Sequence, residues 1–180
     1  ALLGRPYMGI GRNLAYRKSL FLNTKGFNNL LSVTGGDDDL YVNQHSTAEN
    51  TALSLGAGSL IYSIPKTTWK DFFKQKVRHL SVGKHYRFKD RLLLGLFTIT
   101  WILTWFSGIL LLIINPENYW VIGLLAGRII LIMVTLIMAL KQFGDKFEVW
   151  SVLILDFLYP FYYISTGLVA LLTKKVQWKS

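Results

Sequence analysis

Hydrophobic and polar residues divide the chain into two parts. Residues 92–172 are mostly apolar and contain three long apolar runs, at residues 92–114, 119–140 and 147–172. A helix needs ~20 apolar residues to cross ~30 Å of hydrocarbon, so each run is long enough to span a membrane. Tryptophan and tyrosine residues, which anchor helices at membrane interfaces, lie in or beside the runs. The pattern therefore predicts about three transmembrane α-helices.

Two residues interrupt the third apolar run, namely Asp156 and Pro160. Ionisable groups are costly at membrane depth and are usually partnered, and proline removes a helical hydrogen bond. This run could be a full crossing, a broken helix, a re-entrant segment or a partly interfacial one. Arg128, in the second run, could form a structural ion pair with Asp156, or it could hold the phosphate of a lipid or polyprenyl chain.

Flanking charge predicts the orientation in the membrane. Lysine and arginine are concentrated in residues 66–91, before the first run, and such residues favour the cytoplasmic side. The turn at residues 115–118 is then external, and residues 141–146 are cytoplasmic. We expect a multi-pass protein of the cell membrane, with the part of the chain before the first run in the cytoplasm. Three full crossings would place the lysines of the C-terminal tail outside, against the same rule; these are Lys174, Lys175 and Lys179.

The first 66 residues have a mixed pattern. They predict short helices over residues 16–23 and 39–49, and a strand over residues 59–64 that ends at Pro65. Asp37 or Asp38 would lie near the N-terminus of the second helix, where the helix dipole favours negative charge.

A basic amphipathic helix is predicted after Pro65. Thr68 and Asp71 have the spacing of a capping box, and apolar residues follow at helical intervals. Cations accompany this apolar stripe, as they do in helices that lie in a membrane interface. The stripe consists of Trp69, Phe72, Phe73, Val77 and Leu80, and the cations are Lys70, Lys74, Lys76 and Arg78.

The net charge of +10 changes the expected partners rather than the fold. With no nucleic-acid module in the sequence, we expect anionic lipids and phosphate-bearing substrates, and no nucleic acid. The chain contains no cysteine, which excludes disulfides and cysteine metal sites. It opens on Ala1 without a signal peptide, so we expect a fragment that lacks its N-terminal part.

Two groups of polar residues could carry chemistry. Gln75, Arg78 and His79 share one helical face, which offers donors suited to phosphate oxygens. The consecutive carboxylates of residues 37–39 disfavour one another's ionisation, so a chain that keeps them uses them as a base, as metal ligands or as a solvated cap. A carboxylate base beside such a face suits sugar transfer from a nucleotide diphosphate, because cations stabilise the departing diphosphate.

Three segments resemble motifs of family-2 inverting glycosyltransferases. Residues 11–18, GRNLAYRK, resemble the family's G-x-N-x-A-Y-R segment, and residues 36–40, GDDDL, resemble its E-D or G-D-D motif. Residues 75–79, QKVRH, resemble the Q-x-x-R-W signature of its membrane members, such as cellulose, chitin and hyaluronan synthases. His79 stands where that family has tryptophan.

The resemblance implies an architecture that is mainly α by residue count. Residues 1–66 would be the C-terminal part of a GT-A α/β catalytic domain. Residues 67–91 would be an amphipathic basic interfacial helix and a linker. Residues 92–180 would be the transmembrane helices and a short basic tail.

The resemblance also implies roles for individual residues. The general base would be an aspartate of the acidic run: alignment on G-D-D selects Asp38, which we favour, whereas alignment on E-D-x-D-L selects Asp37. Gln75 and Arg78 would bind diphosphate and acceptor. The other substrate-binding residues would be Asn13, Tyr16, Asp39 and His79.

The implied reaction is inverting transfer from a nucleotide sugar to a lipid or glycan acceptor at the cytoplasmic membrane face. Family members use a divalent cation, Mg²⁺ or Mn²⁺, which here would be bound mainly by the missing upstream part, so the fragment alone should be inactive. A different class of protein fits the same pattern: a non-catalytic membrane scaffold or transporter component with a lipid-binding basic helix. The sequence sets neither the sugar nor the oligomeric state.

Overall fold

The computed structural model describes residues 4, 6–33 and 35–173, which form helices and connecting turns and contain no β-strand. The α-helices are α1 (Lys18–Asn23), α2 (Asp37–His45), α3 (Trp69–Val82), α4 (Phe88–Ile114), α5 (Tyr119–Phe143) and α6 (Val152–Leu172). Short 3₁₀ turns lie at Gly11–Asn13, Asn28–Leu30, Ala57–Ser59, Gly83–His85 and Val149–Ser151.

The prediction of three long apolar helices is confirmed. Three helical segments are long and apolar enough to cross a membrane: Phe88–Ile114, Tyr119–Phe143 and Val149–Leu172. Large apolar side chains point outward along them, as lipid-facing side chains do. The third run is one helix with Pro160 inside it, so the alternative of a broken helix is wrong. These helices make the chain a membrane protein.

The predicted strand at residues 59–64 is wrong. Ala57–Ser59 forms a 3₁₀ turn, and the residues after Ser59 up to Pro65 lie in no regular element. A strand depends on a neighbouring strand for its backbone hydrogen bonds, and the described residues provide none. Ile61, Tyr62 and Ile64 are consequently exposed. The sheet expected of a GT-A remnant is thus not present in the described part of the chain.

The predicted helices upstream are present with shorter bounds. The helix expected over residues 39–49 is α2, which ends at His45. Its end has a local cause, because the Asn50 side chain accepts a hydrogen bond from the Thr47 amide at 2.8 Å and donates to the His45 carbonyl at 2.9 Å. This turn satisfies a terminal carbonyl of the helix and directs the chain away from the helix axis.

The chain divides into two compact units. The first comprises Ala1–Leu53, Ile61–Leu92 and Ser165–Ser180, and the second comprises Ser54–Leu60 and Leu93–Ile164. The core of the first unit joins the turn before α2, α2 itself and the end of α3; it consists of Leu30, Leu40, Tyr41 and Val82. The helix that carries the acidic run is therefore packed directly on the helix that carries Gln75, Arg78 and His79.

The basic helix α3 begins at the predicted capping box. The Asp71 amide donates to the Thr68 hydroxyl oxygen at 3.2 Å, and that hydroxyl donates to the Asp71 carboxylate at 2.8 Å. The apolar stripe is divided between two environments. Val77 is buried in the unit, whereas Trp69 is 86% exposed. The N-terminal half of α3 therefore presents apolar surface beside its cations.

One ionic cluster joins the three long helices of the second unit. The Arg128 guanidinium on α5 binds both carboxylate oxygens of Asp156 on α6. The Trp105 indole on α4 donates to the same carboxylate at 3.0 Å. The guanidinium also lies over the rings of Trp101 and Trp105, at 5.5 and 5.7 Å from their centroids. The predicted Arg128–Asp156 ion pair is confirmed.

The Asp156 side chain is 2% exposed, so its loss should destabilise the fold. Breaking a buried ion pair from one side costs about 3–5 kcal/mol, because the remaining charge is left unpaired. We expect Asp156→Asn to lower the yield of folded protein in detergent several-fold and to lower its melting temperature. Glu117→Gln, in the exposed turn after α4, is the control and should leave both unchanged. Unchanged thermal stability of Asp156→Asn would contradict a stabilising pair.

The end of α6 is fixed within the first unit. The Lys84 ammonium donates to the Thr173 carbonyl at 3.0 Å. A cation at a helix C-terminus satisfies a free carbonyl and favours the negative end of the dipole. The contact brings the end of α6 beside the turn that precedes α4. Three full crossings would place the lysines of the C-terminal tail on the external side. These residues, Lys174, Lys175 and Lys179, lie outside the described residues.

The Lys84–Thr173 contact predicts that residues 84 and 173 lie on the same membrane face, which requires an even number of crossings between them. The chain has no cysteine, so single-cysteine variants of it can be labelled in sealed vesicles with a membrane-impermeant maleimide. We expect Lys89→Cys and Thr173→Cys to be labelled from the same side and Glu117→Cys from the other. Labelling of residues 89 and 173 from opposite sides would establish three full crossings instead.

Candidate functional site

The acidic run begins at a glycine that packs tightly against α3. Gly36 precedes α2 with φ 85°, in the left-handed region, and a Cβ there would lie 2.4 Å from Cγ1 of Val82. Only glycine combines this left-handed backbone conformation with such close contact to Val82 without strain. The first turn of α2, with its three aspartates, is thereby held against the C-terminal end of α3.

Asp38 connects two of the three motif segments. Its Oδ2 accepts a hydrogen bond from the Gly11 amide at 2.6 Å, and its Oδ1 accepts one from the Asp39 amide at 2.9 Å. A Cβ at Gly11 would lie 3.0 Å from the same Oδ2, so the close approach favours glycine. Two backbone donors hold this carboxylate in one orientation.

The third motif segment reaches the same carboxylate through His79. Asp38 is close enough to raise the pKa of His79, and Arg12 is close enough to lower it. The overall pKa of His79 is lowered, first by desolvation and then by the cations Arg78 and Lys76. At neutral pH the imidazole is therefore neutral. A hydrogen bond joins residues 11–18 to Asp38, whereas residues 75–79 are linked to it by the electrostatic effect on His79.

The remaining predicted site residues differ in their contacts and exposure. Tyr16 stacks on Phe21 and contacts Tyr41, each with ring centroids 5.2 Å apart. Asn13 lies exposed in the turn that begins at Gly11, and Asp37 is exposed at the start of α2. Gln75 and Arg78 are half-buried on α3.

Asp39 differs from its neighbours because it is turned into the protein. It accepts hydrogen bonds from the Gly9 amide and the Tyr86 hydroxyl, while its buried Oδ1 has no hydrogen-bond partner among the described residues. Burial, followed by the charge of Asp38, raises its pKa from 3.8 to about 6. Burial and the nearby Asp39 charge also raise the pKa of the Tyr86 hydroxyl.

Two buried polar residues next to this pair, Asn43 and Asp90, are not among those that the motifs indicate. One signal in the sequence could have indicated Asn43: it follows Asp39 by four residues and so lies on the same face of α2. No such spacing in the sequence indicates Asp90, which lies among lysine and arginine residues.

A divalent cation does not fit the described residues as a bound group. Among residues 4, 6–33 and 35–173, no three histidine, aspartate or glutamate side chains come together in a metal-binding group. Asp38 and Asp39 instead direct their oxygens to backbone amides and to Tyr86. We therefore derive no chemical step through a cation bound by this part of the chain.

No protein-family model matches the chain, and no match is found among curated proteins or solved structures. The class is set by the fold alone: a helical membrane protein with three helices long and apolar enough to span a bilayer.

The raised pKa of Asp39 makes stability fall as pH rises. In the unfolded chain the pKa of Asp39 is about 3.8, so its carboxylate is charged between pH 4 and 6. In the folded protein the pKa is about 6, so the side chain keeps its proton over that interval. Relative to Asp39→Asn, the wild type should therefore lose stability across this interval and keep a constant difference above it.

This expectation is tested by thermal melting in detergent at pH values from 4 to 8. Glu117→Gln, in the exposed turn after α4, is the control and should follow the wild-type profile. Parallel pH profiles for wild type and Asp39→Asn would contradict the assignment.

Proposed function

We propose that the chain is the C-terminal part of a family-2-like glycosyltransferase. It would transfer a sugar from a nucleotide-diphosphate donor, such as a UDP- or GDP-sugar, to the hydroxyl of a lipid or glycan acceptor, with inversion, at the cytoplasmic face of the cell membrane. The observation that supports the proposal is the hydrogen bond from the Gly11 amide to Asp38, which joins two distant motif segments. The third segment is linked to Asp38 through the electrostatic effect of that carboxylate on His79.

Asp38 is the proposed general base. Backbone amides of Gly11 and Asp39 fix its carboxylate, which leaves further lone pairs to accept the proton of an attacking hydroxyl. Asp37 has an exposed side chain at the start of α2. The contacts therefore support Asp38 over Asp37, the other alignment of the motif.

The cations near His79 suit a departing diphosphate. Arg12, Lys76 and Arg78 are all close enough to His79 to lower its pKa. Positive charge fixed before the reaction stabilises the negative charge that develops on a leaving phosphate. In this proposal Arg78 and Gln75 bind diphosphate and acceptor, with a required Mg²⁺ or Mn²⁺ bound upstream of these residues.

His79 takes the place of the family's tryptophan in this proposal. Its lowered pKa keeps the ring uncharged at neutral pH. A neutral imidazole can present a flat face or a single N–H donor to a sugar without a second positive charge. Asn13 and Tyr16 would shape the acceptor pocket on the other side of Asp38.

A second candidate function is a non-catalytic scaffold or transporter component whose basic helix binds lipid. The observation that favours it is the exposed start of α3, where Trp69 and Phe73 lie beside Lys70 and Lys74. Apolar and cationic side chains together suit an anionic membrane surface. A protein of this class would neither hydrolyse nor transfer nucleotide sugars.

We expect Asp38→Asn in the full-length protein to lower sugar transfer by about 10²–10⁴-fold, the usual contribution of a general base. Donor binding should be nearly unchanged, because the amide keeps the shape of the carboxylate. Asp37→Asn is the matched control and should keep most of the activity. The measurement is mass spectrometry of the product formed from a panel of nucleotide sugars.

Full activity in both variants would refute the assignment of the base. A wild-type protein that neither transfers nor hydrolyses any nucleotide sugar would favour the scaffold.

A further inference from the structure

His79 is an exposed histidine of α3 that lies among cations. The charged groups that act on its ring come from three elements of the first unit. The cations are Arg78 and Lys76 on α3 and Arg12 in the first 3₁₀ turn, and the carboxylate is Asp38 on α2. We call the three basic side chains the cation cluster. Its charge exceeds that of the carboxylate, so the charged groups around the ring are positive on balance.

Two contacts fix the elements that carry the cation cluster. The Gly11 amide donates to Asp38 Oδ2 at 2.6 Å, which ties the turn that carries Arg12 to α2. The same helix is packed on α3, where a Cβ at Gly36 would lie 2.4 Å from Cγ1 of Val82. The cations are therefore held together by the packing of their elements, and this packing is in place before any ligand binds.

The cation cluster has the chemistry of a phosphate site. Like charges repel, so cations held close to one another favour an anion beside them. A guanidinium offers a planar set of N–H donors that matches phosphate oxygens, and an ammonium adds a compact charge. The Arg12 side chain is exposed, so its donors are open to a ligand. An anion with several oxygens can therefore contact basic side chains from two elements at once.

An anion at the cation cluster also changes the proton affinity of His79. The cluster lowers the pKa of His79, because nearby positive charge disfavours a further one. A bound phosphate supplies the opposite charge and cancels part of this effect, so it raises the pKa of the ring. A protonated imidazole has two N–H donors and no acceptor, and it forms charge-assisted hydrogen bonds with phosphate oxygens. Anion binding and protonation therefore favour each other.

We propose that His79 takes up a proton when a diphosphate binds at the cation cluster, and that the charged ring then serves as a further ligand of the phosphate oxygens. This inference rests on the proposed glycosyltransferase function, which supplies a nucleoside diphosphate as the ligand. It adds a second state of the ring to the neutral one of the free protein. The proton comes from solvent, stays on the ring while the diphosphate is bound, and returns to solvent when the diphosphate leaves.

The test measures proton uptake when UDP, GDP or inorganic pyrophosphate binds to the full-length protein in detergent with Mg²⁺ present. Calorimetry in buffers of different ionisation enthalpy gives the number of protons taken up per bound ligand. His79→Gln keeps a polar side chain that does not titrate. His85→Gln is the matched control, because His85 is also exposed and its pKa is also lowered by burial and by a neighbouring cation. The ligand and Asp39 titrate in every variant, so the difference between variants isolates His79.

Wild type and His85→Gln should take up as much as about one proton more per bound nucleotide than His79→Gln. Relative to His79→Gln, the wild type should bind most tightly below the pKa of His79 in the free protein. Its affinity should fall by up to about tenfold per pH unit as pH rises toward the pKa of the ring in the complex. Arg12→Gln should weaken binding about tenfold, because it removes a charged hydrogen bond, and Arg12→Lys should recover part of the loss.

Equal proton uptake in wild type and His79→Gln, or identical pH profiles of binding in the two, would overturn the proposal. His79→Trp, which is equally unable to take up a proton, repeats the comparison if His79→Gln does not fold. Sugar transfer by a wild type that lacks this uptake would end the inference and leave the proposed function standing. The uptake without any transfer would support the inference and count against the enzyme, whereas a failure to bind all three probes would overturn both.

Discussion

The first unit depends on how α2 is held along its length. At its N-terminus Val82 packs so closely against Gly36 that a side chain at residue 36 would clash with it. Further along, Leu40 and Tyr41 enter the core on one side, while Asn43 buries its amide among polar partners on another. Apolar packing brings these segments together but tolerates sliding, whereas directional hydrogen bonds in a buried setting do not. The position of the acidic run follows from this combination.

The second unit is also held by directional polar contacts, here between long apolar helices. A guanidinium at membrane depth is costly, and Arg128 is provided with the two Asp156 oxygens and the faces of Trp101 and Trp105. Trp105 contributes twice, because its indole N–H also donates to Asp156. Lipid supplies no hydrophobic force between helices, so such polar contacts carry a large part of the specificity of their association.

The features that the sequence predicted correctly are those with a local or single-residue cause. The long helices follow from run length, the start of α3 from Thr68 and Asp71, and the Arg128–Asp156 pair from the cost of isolated charge. The strand after Ser59 was wrong because strand formation depends on a distant partner, which a local pattern does not contain. Asn43 was missed for the same reason: its importance comes from Tyr7, Arg87 and Asp90, and nothing near it in sequence indicates them. At the site, the motifs marked Asp38 and its neighbours as candidates, whereas the Gly11–Asp38 hydrogen bond and the inward turn of Asp39 required coordinates.

Asp38 and Asp39 show how adjacent carboxylates acquire different roles. Asp39 is desolvated and keeps its proton up to about pH 6, whereas Asp38 accepts hydrogen bonds from two backbone amides. The charges of Asp38 and Asp37 add to the effect of burial in raising the pKa of Asp39. The acidic run is thus better understood as one carboxylate held by backbone amides next to one structural carboxylate that anchors α2 than as three equivalent acids.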